Sequence, residues 1–314
     1  HGKNILNMDC ARLVAVCSQP ADDAERFVQE ENIECKVYED AYTMIETADL
    51  DVVYICLPPF AHNGQFEAAA KKGIHIFIEK PIAISEERAR SMAEAARENN
   101  IYTQVGYQMR FGGAVRRFKD LMDLGVTGKP TLYSASYECN SLHSPWWRDA
   151  EKCGGQVFEQ VIHLYDMALY LMGNAREVNG YVANQCHQDV EGYTIEDTSV
   201  ANIRFENGSL GSITGSNCAV KEQWNARFRI ICENTIADFT DHNHGVFTYT
   251  QKEKPESEIV ETEVDVTYSE DAYFMEVLMG KAKPFATVED GYQGIRMVSG
   301  VVKSSQADGI AVEI

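Results

Sequence analysis

Several common chemical signatures are missing from these 314 residues, and each absence narrows the reading. There is no GxGxxG turn, no P-loop, no GxSxG elbow and no HExxH helix, which excludes the usual routes to nucleotide hydrolysis, serine-based acyl transfer and helical zinc catalysis. Positive charge is scarce. With 28 basic against 48 acidic residues and a formal charge of -20, a nucleic-acid backbone or an anionic membrane would be repelled over most of the surface. No apolar run approaches the ~18 residues of a membrane span. The nine cysteines form no CxxC pair, and several sit in runs such as LVAVC and VVYIC, which suits reduced thiols in a cytoplasm. There is neither an internal repeat nor a low-complexity linker. The partner implied is a small molecule in a local pocket.

The chain is 45% hydrophobic and long enough for two cores. From Arg12 to about Gln104, short apolar runs (12–17, 35–38, 51–57, 75–78, 102–106) alternate with amphipathic stretches (21–31, 41–47, 62–72, 85–99). That rhythm predicts an α/β, doubly wound parallel sheet. Ser85 before Glu86 and Glu87 predicts a capped helix start. After Phe111, helices near 114–124 and 156–172 precede alternating strands (EVNGYVA, TSVANIRF, SLGSITGS, ARFRIIC, TIADFT, GVFTYT), and helices near 268–281 and 288–306 close the chain. The expected organisation is a Rossmann-like domain over 1–107 and an α+β domain with a large, mainly antiparallel sheet over 108–314.

Ligands of a doubly wound sheet bind at the C-terminal ends of its strands. Two charged or rigid turns fall there: Pro58-Pro59, and Glu79-Lys80-Pro81 after the apolar run Ile74-His75-Ile76-Phe77-Ile78. Pro81 fixes the backbone, so Lys80 is held at the rim, able to donate to a substrate hydroxyl. The second constellation is Gly154-Gly155-Gln156-Val157-Phe158-Glu159-Gln160-Val161-Ile162-His163-Leu164-Tyr165-Asp166. At roughly 100° per residue, Glu159, His163, Asp166 and Tyr170 share one stripe of an otherwise apolar helix. Buried carboxylates and imidazoles are costly unless paired or used, so this stripe is either an acid/base site or an internal network. The two glycines would let a ligand approach the helix start. Trp146-Trp147-Arg148 could clamp a ligand or pack as a lid. Asp241-His242-Asn243-His244-Gly245 reads as a tight turn between strands rather than a metal site, and no metal site is assigned.

Together, the EKP turn, the GG(x)3E(x)3H(x)2D helix, YICLPPFAH (54–62) and VGYQMRF (105–111) resemble the Gfo/Idh/MocA oxidoreductase family. The resemblance implies a nicotinamide-dinucleotide domain followed by a sheet domain, with Lys80 and His163 as catalytic residues and Glu159 where inositol-dehydrogenase-like members carry Asp. It also implies that Glu79, Lys80 and Pro81 frame the cofactor, with Ser18, Gln19, Leu57, Pro58, His62, Gln108, Trp147 and Arg148 as its neighbours. Family members open with a strand and a glycine-rich turn, so the first strand and most of the pyrophosphate loop are expected to be absent from this chain. Ser18-Gln19 offers neither a carboxylate against nor an Arg for a 2′-phosphate, which leaves NAD or NADP open.

The activity implied is hydride transfer between a nicotinamide cofactor and a hydroxyl or keto carbon of a sugar, cyclitol or sugar derivative. A redox-neutral, NAD-dependent glycosidase and a non-catalytic dinucleotide or sugar sensor are the alternatives. The second-domain sheet has too few helices to cover both faces, so a homodimer or homotetramer joined through it is expected.

Overall fold

A computed structural model describes every residue except Lys252. The first half runs α1 (Gly2–Leu6), β1 (Ala15–Cys17), α2 (Asp22–Glu30), β2 (Lys36–Tyr38), α3 (Ala41–Thr47), β3 (Val52–Ile55), α4 (Gln65–Lys71), β4 (His75–Ile78), α5 (Glu86–Glu98) and β5 (Thr103–Val105). All of these strands pair in parallel, in two pieces, β1-β2 and β3-β4-β5, that are not hydrogen-bonded to each other. The expected alternation of strands and crossover helices is what forms. Ser85 caps α5 by accepting from the Arg88 N–H, as its position before two acids predicts.

Strand β4 is buried on both faces. Ile76 and Ile78 point into the main core, whereas Phe77 stacks on Tyr54 at 4.6 Å and reaches Phe274 on the opposite side. A strand clamped on two sides is a rigid base for whatever follows its C-terminal end, here Glu79-Lys80-Pro81.

The second half comprises α6 (Gly113–Asp123), β6 (Pro130–Cys139), α7 (Ala150–Cys153), α8 (Ile162–Met172), β7 (Ala175–Ala183), β8 (Thr198–Phe205), β9 (Leu210–Ser216), β10 (Trp224–Cys232), β11 (Thr235–Phe239), β12 (His244–Tyr249), β13 (Glu256–Glu261), α9 (Val266–Leu278), α10 (Val288–Gln306) and β14 (Val312–Glu313). Its strands form one mixed sheet in the order β13-β12-β11-β10-β6-β9-β8-β7-β14. The meanders are antiparallel as expected, but β6, β13 and β14 were not anticipated, and β6 pairs parallel with β9 at the centre.

One face of this sheet (Tyr133, Ile213, Phe228, Ile230 and Phe247) packs into the core with α8 and α10. The other stays open. Ile236, Ile231, Leu132 and Leu210 lie in register across β11, β10, β6 and β9, and Leu132 and Leu210 are exposed there. Among the described residues, no helix is long and apolar enough to cross a membrane.

Seven cysteines are free, but Cys186 and Cys218 are joined as a disulfide. The expectation of unpaired thiols fails at this pair because the β7–β8 loop folds back over the end of β9, bringing the two Cα atoms to 6.2 Å.

Candidate active site

Lys80 leaves the end of β4 and crosses to the helix of the second domain. Its Nζ donates to the Glu159 carbonyl at 2.6 Å and to Glu159 Oε1 at 2.9 Å. Glu159 Oε2 accepts from Trp147 Nε1 at 2.6 Å. Burial pushes the Glu159 carboxyl upward, but the Lys80 ammonium outweighs it and holds the pKa below the ordinary value, so the pair is ionised. The backbone here is not a plain α-helix: Val157–Val161 form a single π turn that runs into α8. Such turns recur at functional sites, and within this one the Glu159 carbonyl faces Lys80.

His163 lies one turn further on. Its Nδ1 is buried without a partner among the described residues, and Nε2 makes no hydrogen bond and is not sealed. Burial, with the charges of Lys80 and His242 nearby, drives its pKa well below 6.5. The imidazole is therefore neutral at physiological pH, with one nitrogen open as a proton acceptor.

The rest of the expected stripe goes elsewhere. Asp166 is fully buried and receives Arg110 Nε at 2.9 and 3.1 Å and Arg110 Nη2 at 2.6 Å. Asp290 lies 3.5 Å from the same guanidinium, and Tyr170 lies beneath it at 4.9 Å. Burial lifts Asp166 to about 6 despite Arg110. Asp166 and Tyr170 thus belong to an internal strut between the turn after β5 and α8.

The glycines also serve the protein itself. Gly154 and Gly155 have φ of 80° and 118°, and a Cβ on Gly155 would meet Glu196 Oε2 at 2.4 Å. Glu196 fills that approach, accepting from the Val157 N–H at 2.8 Å, with its pKa raised to about 7 by burial.

Of the residues expected around the cofactor, Leu57, Pro58, Glu79, Pro81 and Gln108 do gather at the C-terminal rim of β3 to β5. Leu57 is exposed there, and Arg148 keeps a buried Nε without a partner among the described residues. Three expectations need correcting. Trp147 is only 2% exposed and supports Glu159 rather than lining a cofactor groove, because its one polar atom must find an acceptor when the indole is buried. His62 is also buried, wedged between the Ile82 carbonyl (2.8 Å) and the Leu57 carbonyl (3.1 Å), so it ties the two rim turns together. Ser18 Oγ is spent locally, donating to the Pro20 carbonyl and accepting from the Ala24 N–H at the start of α2; Gln19 is exposed beside it.

Sequence reasoning missed four contributors. Arg110 reaches α8, and Glu196 the π turn before it, from distant segments, and the only hint of Arg110 was a lone cation in the apolar run VGYQMRF. His242 sits in the expected turn, where its carbonyl accepts from the Val115 N–H while its ring lies close enough to His163 to act on its pKa. The fourth, His143, is in the loop after β6. His1 adds a further cluster, bonded to Asp271 at 2.7 Å and Glu79 at 2.9 Å. Burial opposes its charge, yet those two carboxylates raise it to about 10.

The nicotinamide end of a dinucleotide fits these residues. Leu57 and the Lys80 ammonium lie at that rim, after β3 and β4, whereas the backbone cradle of a glycine-rich turn is not among these residues.

Comparison with known proteins agrees with this architecture. Residues 1–107 match the model of the "Oxidoreductase family, NAD-binding Rossmann fold" and residues 115–237 match the GFO/IDH/MocA C-terminal domain. The chain belongs to this GFO/IDH/MocA oxidoreductase family. It is 31% identical over 218 residues to scyllo-inositol 2-dehydrogenase (NAD(+)) of Bacillus subtilis (strain 168), a match covering 69% of this chain and 63% of that protein. D-glucoside 3-dehydrogenase of Escherichia coli (strain K12) is 24% identical, over 100% of this chain and 93% of its own. Levoglucosan dehydrogenase in complex with NADH and levoglucosan shares the fold with a TM-score of 0.88 at 21% identity, covering 96% of this chain and 90% of that one.

Proposed function

We propose that the protein is an NAD-dependent dehydrogenase that oxidises a hydroxyl group of a sugar or cyclitol, or reduces the matching ketone. The observation that carries this is the pairing of a fixed ammonium, Lys80, with a neutral and unpartnered imidazole, His163, at the rim of a Rossmann sheet. The names of its relatives, which act on inositols and glucosides, support the substrate class.

In this reading His163 takes the hydroxyl proton at Nε2. Lys80 donates a hydrogen bond to the same oxygen and strengthens it as the carbonyl forms. The positive charge of Lys80 also keeps His163 neutral until the proton arrives. Glu159 fixes the ammonium from two sides, through its carbonyl and its carboxylate, while Trp147 fixes the carboxylate. Bound NAD supplies the hydride acceptor, and Leu57, Pro58, Glu79, Pro81, Gln108 and Arg148 would hold its nicotinamide end. The test is reduction of NAD, followed as NADH absorbance, over a panel of myo-inositol, scyllo-inositol, D-glucose and methyl glucosides. Turnover of at least one is expected; no NADH from any, with NAD binding intact, would refute the reading.

We further propose a homo-oligomer, dimer or tetramer, closed through the open face of the nine-stranded sheet. The apolar row Ile236, Ile231, Leu132 and Leu210 supports it, since contiguous exposed apolar surface on a sheet marks an interface. Sedimentation should give at least twice the 35.2 kDa of one chain; a monomer would contradict it. The free thiols at seven of nine cysteines favour a cytoplasmic site, with Cys186–Cys218 the exception, and recovery outside the cytoplasm on cell fractionation would overturn that assignment.

A further inference from the structure

The loop after β6 carries a histidine that the chemistry above does not use. His143 has a φ of +49°, a region that residues other than glycine seldom enter. Its ring lies on Trp147, 4.3 Å between centroids, with Trp224 at 5.9 Å on the next strand. Trp147 is the residue that holds Glu159, and the charges of both Glu159 and Lys80 act on His143. The imidazole therefore stands beside the Lys80–Glu159 pair while remaining exposed.

Only one of its nitrogens is engaged. His143 Nε2 lies 2.8 Å from Gln160 Nε2. The Gln160 oxygen is committed on the inner side, where it accepts from Gln156 Nε2 at 3.4 Å and lies 3.0 Å from Cys139 Sγ. Cys139 Sγ in turn lies 3.1 Å from Asn217 Oδ1, and Asn217 is clamped by bonds to both the N–H and the carbonyl of Ser141. With the Gln160 amide oxygen placed inward as here, the amide N–H faces His143, an arrangement that assigns Nε2 as the acceptor and the ring proton to Nδ1. Nδ1 makes no hydrogen bond among the described residues and is not buried, which leaves a fixed donor on the open side of the ring.

We propose that His143 is a specificity-determining residue: its Nδ1–H donates to an oxygen of the substrate's ring, on a carbon other than the one oxidised. The inference rests on the dehydrogenase reading of Lys80 and His163. A donor fixed by a buried network accepts one placement of the substrate oxygen, so it selects among epimers of a polyol rather than speeding the chemical step.

The test compares wild type with His143→Phe, which keeps a ring on Trp147 without a donor, and with His143→Ala, which loses both. Kinetics use whichever of myo-inositol, D-glucose or methyl β-D-glucopyranoside is turned over best, and nitrogen-15 NMR of the histidine rings reads the tautomer in the full chain. The expected result is a KM raised about tenfold in both variants, with kcat of His143→Phe within about threefold of wild type, and a wild-type proton on Nδ1. A wild-type KM in His143→Phe, or a proton on Nε2, would overturn the proposal and leave the dehydrogenase reading intact. Failure of wild type to reduce NAD on any polyol would instead remove that reading, and the proposal with it.

Discussion

Lys80 with Glu159, and Arg110 with Asp166, are built alike. In each, a cation from the turn after a parallel strand, β4 or β5, meets a carboxylate on the long helical segment of the second domain, and the two carboxylates are seven residues apart. They differ in saturation. Arg110 spends three hydrogen bonds on both oxygens of Asp166 and is sealed at 3% exposure. Lys80 keeps 15% of its side chain exposed, and beside it His163 carries two nitrogens without a hydrogen bond among the described residues. Polar residue types on a buried helix do not separate a strut from a site; here the difference is that both Asp166 oxygens are held by Arg110 in the core, whereas His163 keeps its ring nitrogens free for a ligand.

Breaking the saturated cluster should have the largest effect on folding. Arg110→Ala strands the Asp166 carboxylate in the core, and losing one partner of a buried pair costs about 3–5 kcal/mol. Urea unfolding should register that loss, while kcat per folded molecule stays close to wild type. A loss below about 1 kcal/mol would mean that the strut does not hold α8 as its geometry implies.

The two clusters also differ in how far they were legible. The Lys80 rim was readable because β4 is an apolar run ending in a charged, proline-fixed turn, and His163 because a polar stripe on an apolar helix demands a reason. The stripe's division between site and strut was not readable: the π turn at Val157–Val161 and the arrival of Arg110 are both set by tertiary contacts. The glycine pair misled for a similar reason, since the close neighbour of Gly155 is Glu196, some 40 residues away in the chain. Tryptophan beside arginine suggested a ligand clamp, yet the indole N–H of Trp147 turned inward to Glu159.

Among the fold elements, the strands of the parallel half stood out as apolar runs between helices. Strand β6 did not. Tyr133-Ser134-Ala135-Ser136-Tyr137-Glu138-Cys139 does alternate, but its partners β9 and β10 lie more than 70 residues on, so no hairpin turn announces it. Strand β13, Glu-Ser-Glu-Ile-Val-Glu, reads as a solvated segment because an edge strand carries charge to discourage further pairing.

The most direct test of the central claim is the pH dependence of kcat/KM for wild type and His163→Ala. A neutral base whose pKa is pushed below 6.5 by burial and by Lys80 stays competent as the pH falls, so the acid limb of the wild-type profile should lie well below pH 6.5. His163→Ala, still folded, should lose about 10²-fold or more at every pH. An acid limb at or above pH 6.5, or a His163→Ala enzyme within about tenfold of wild type, would contradict the account.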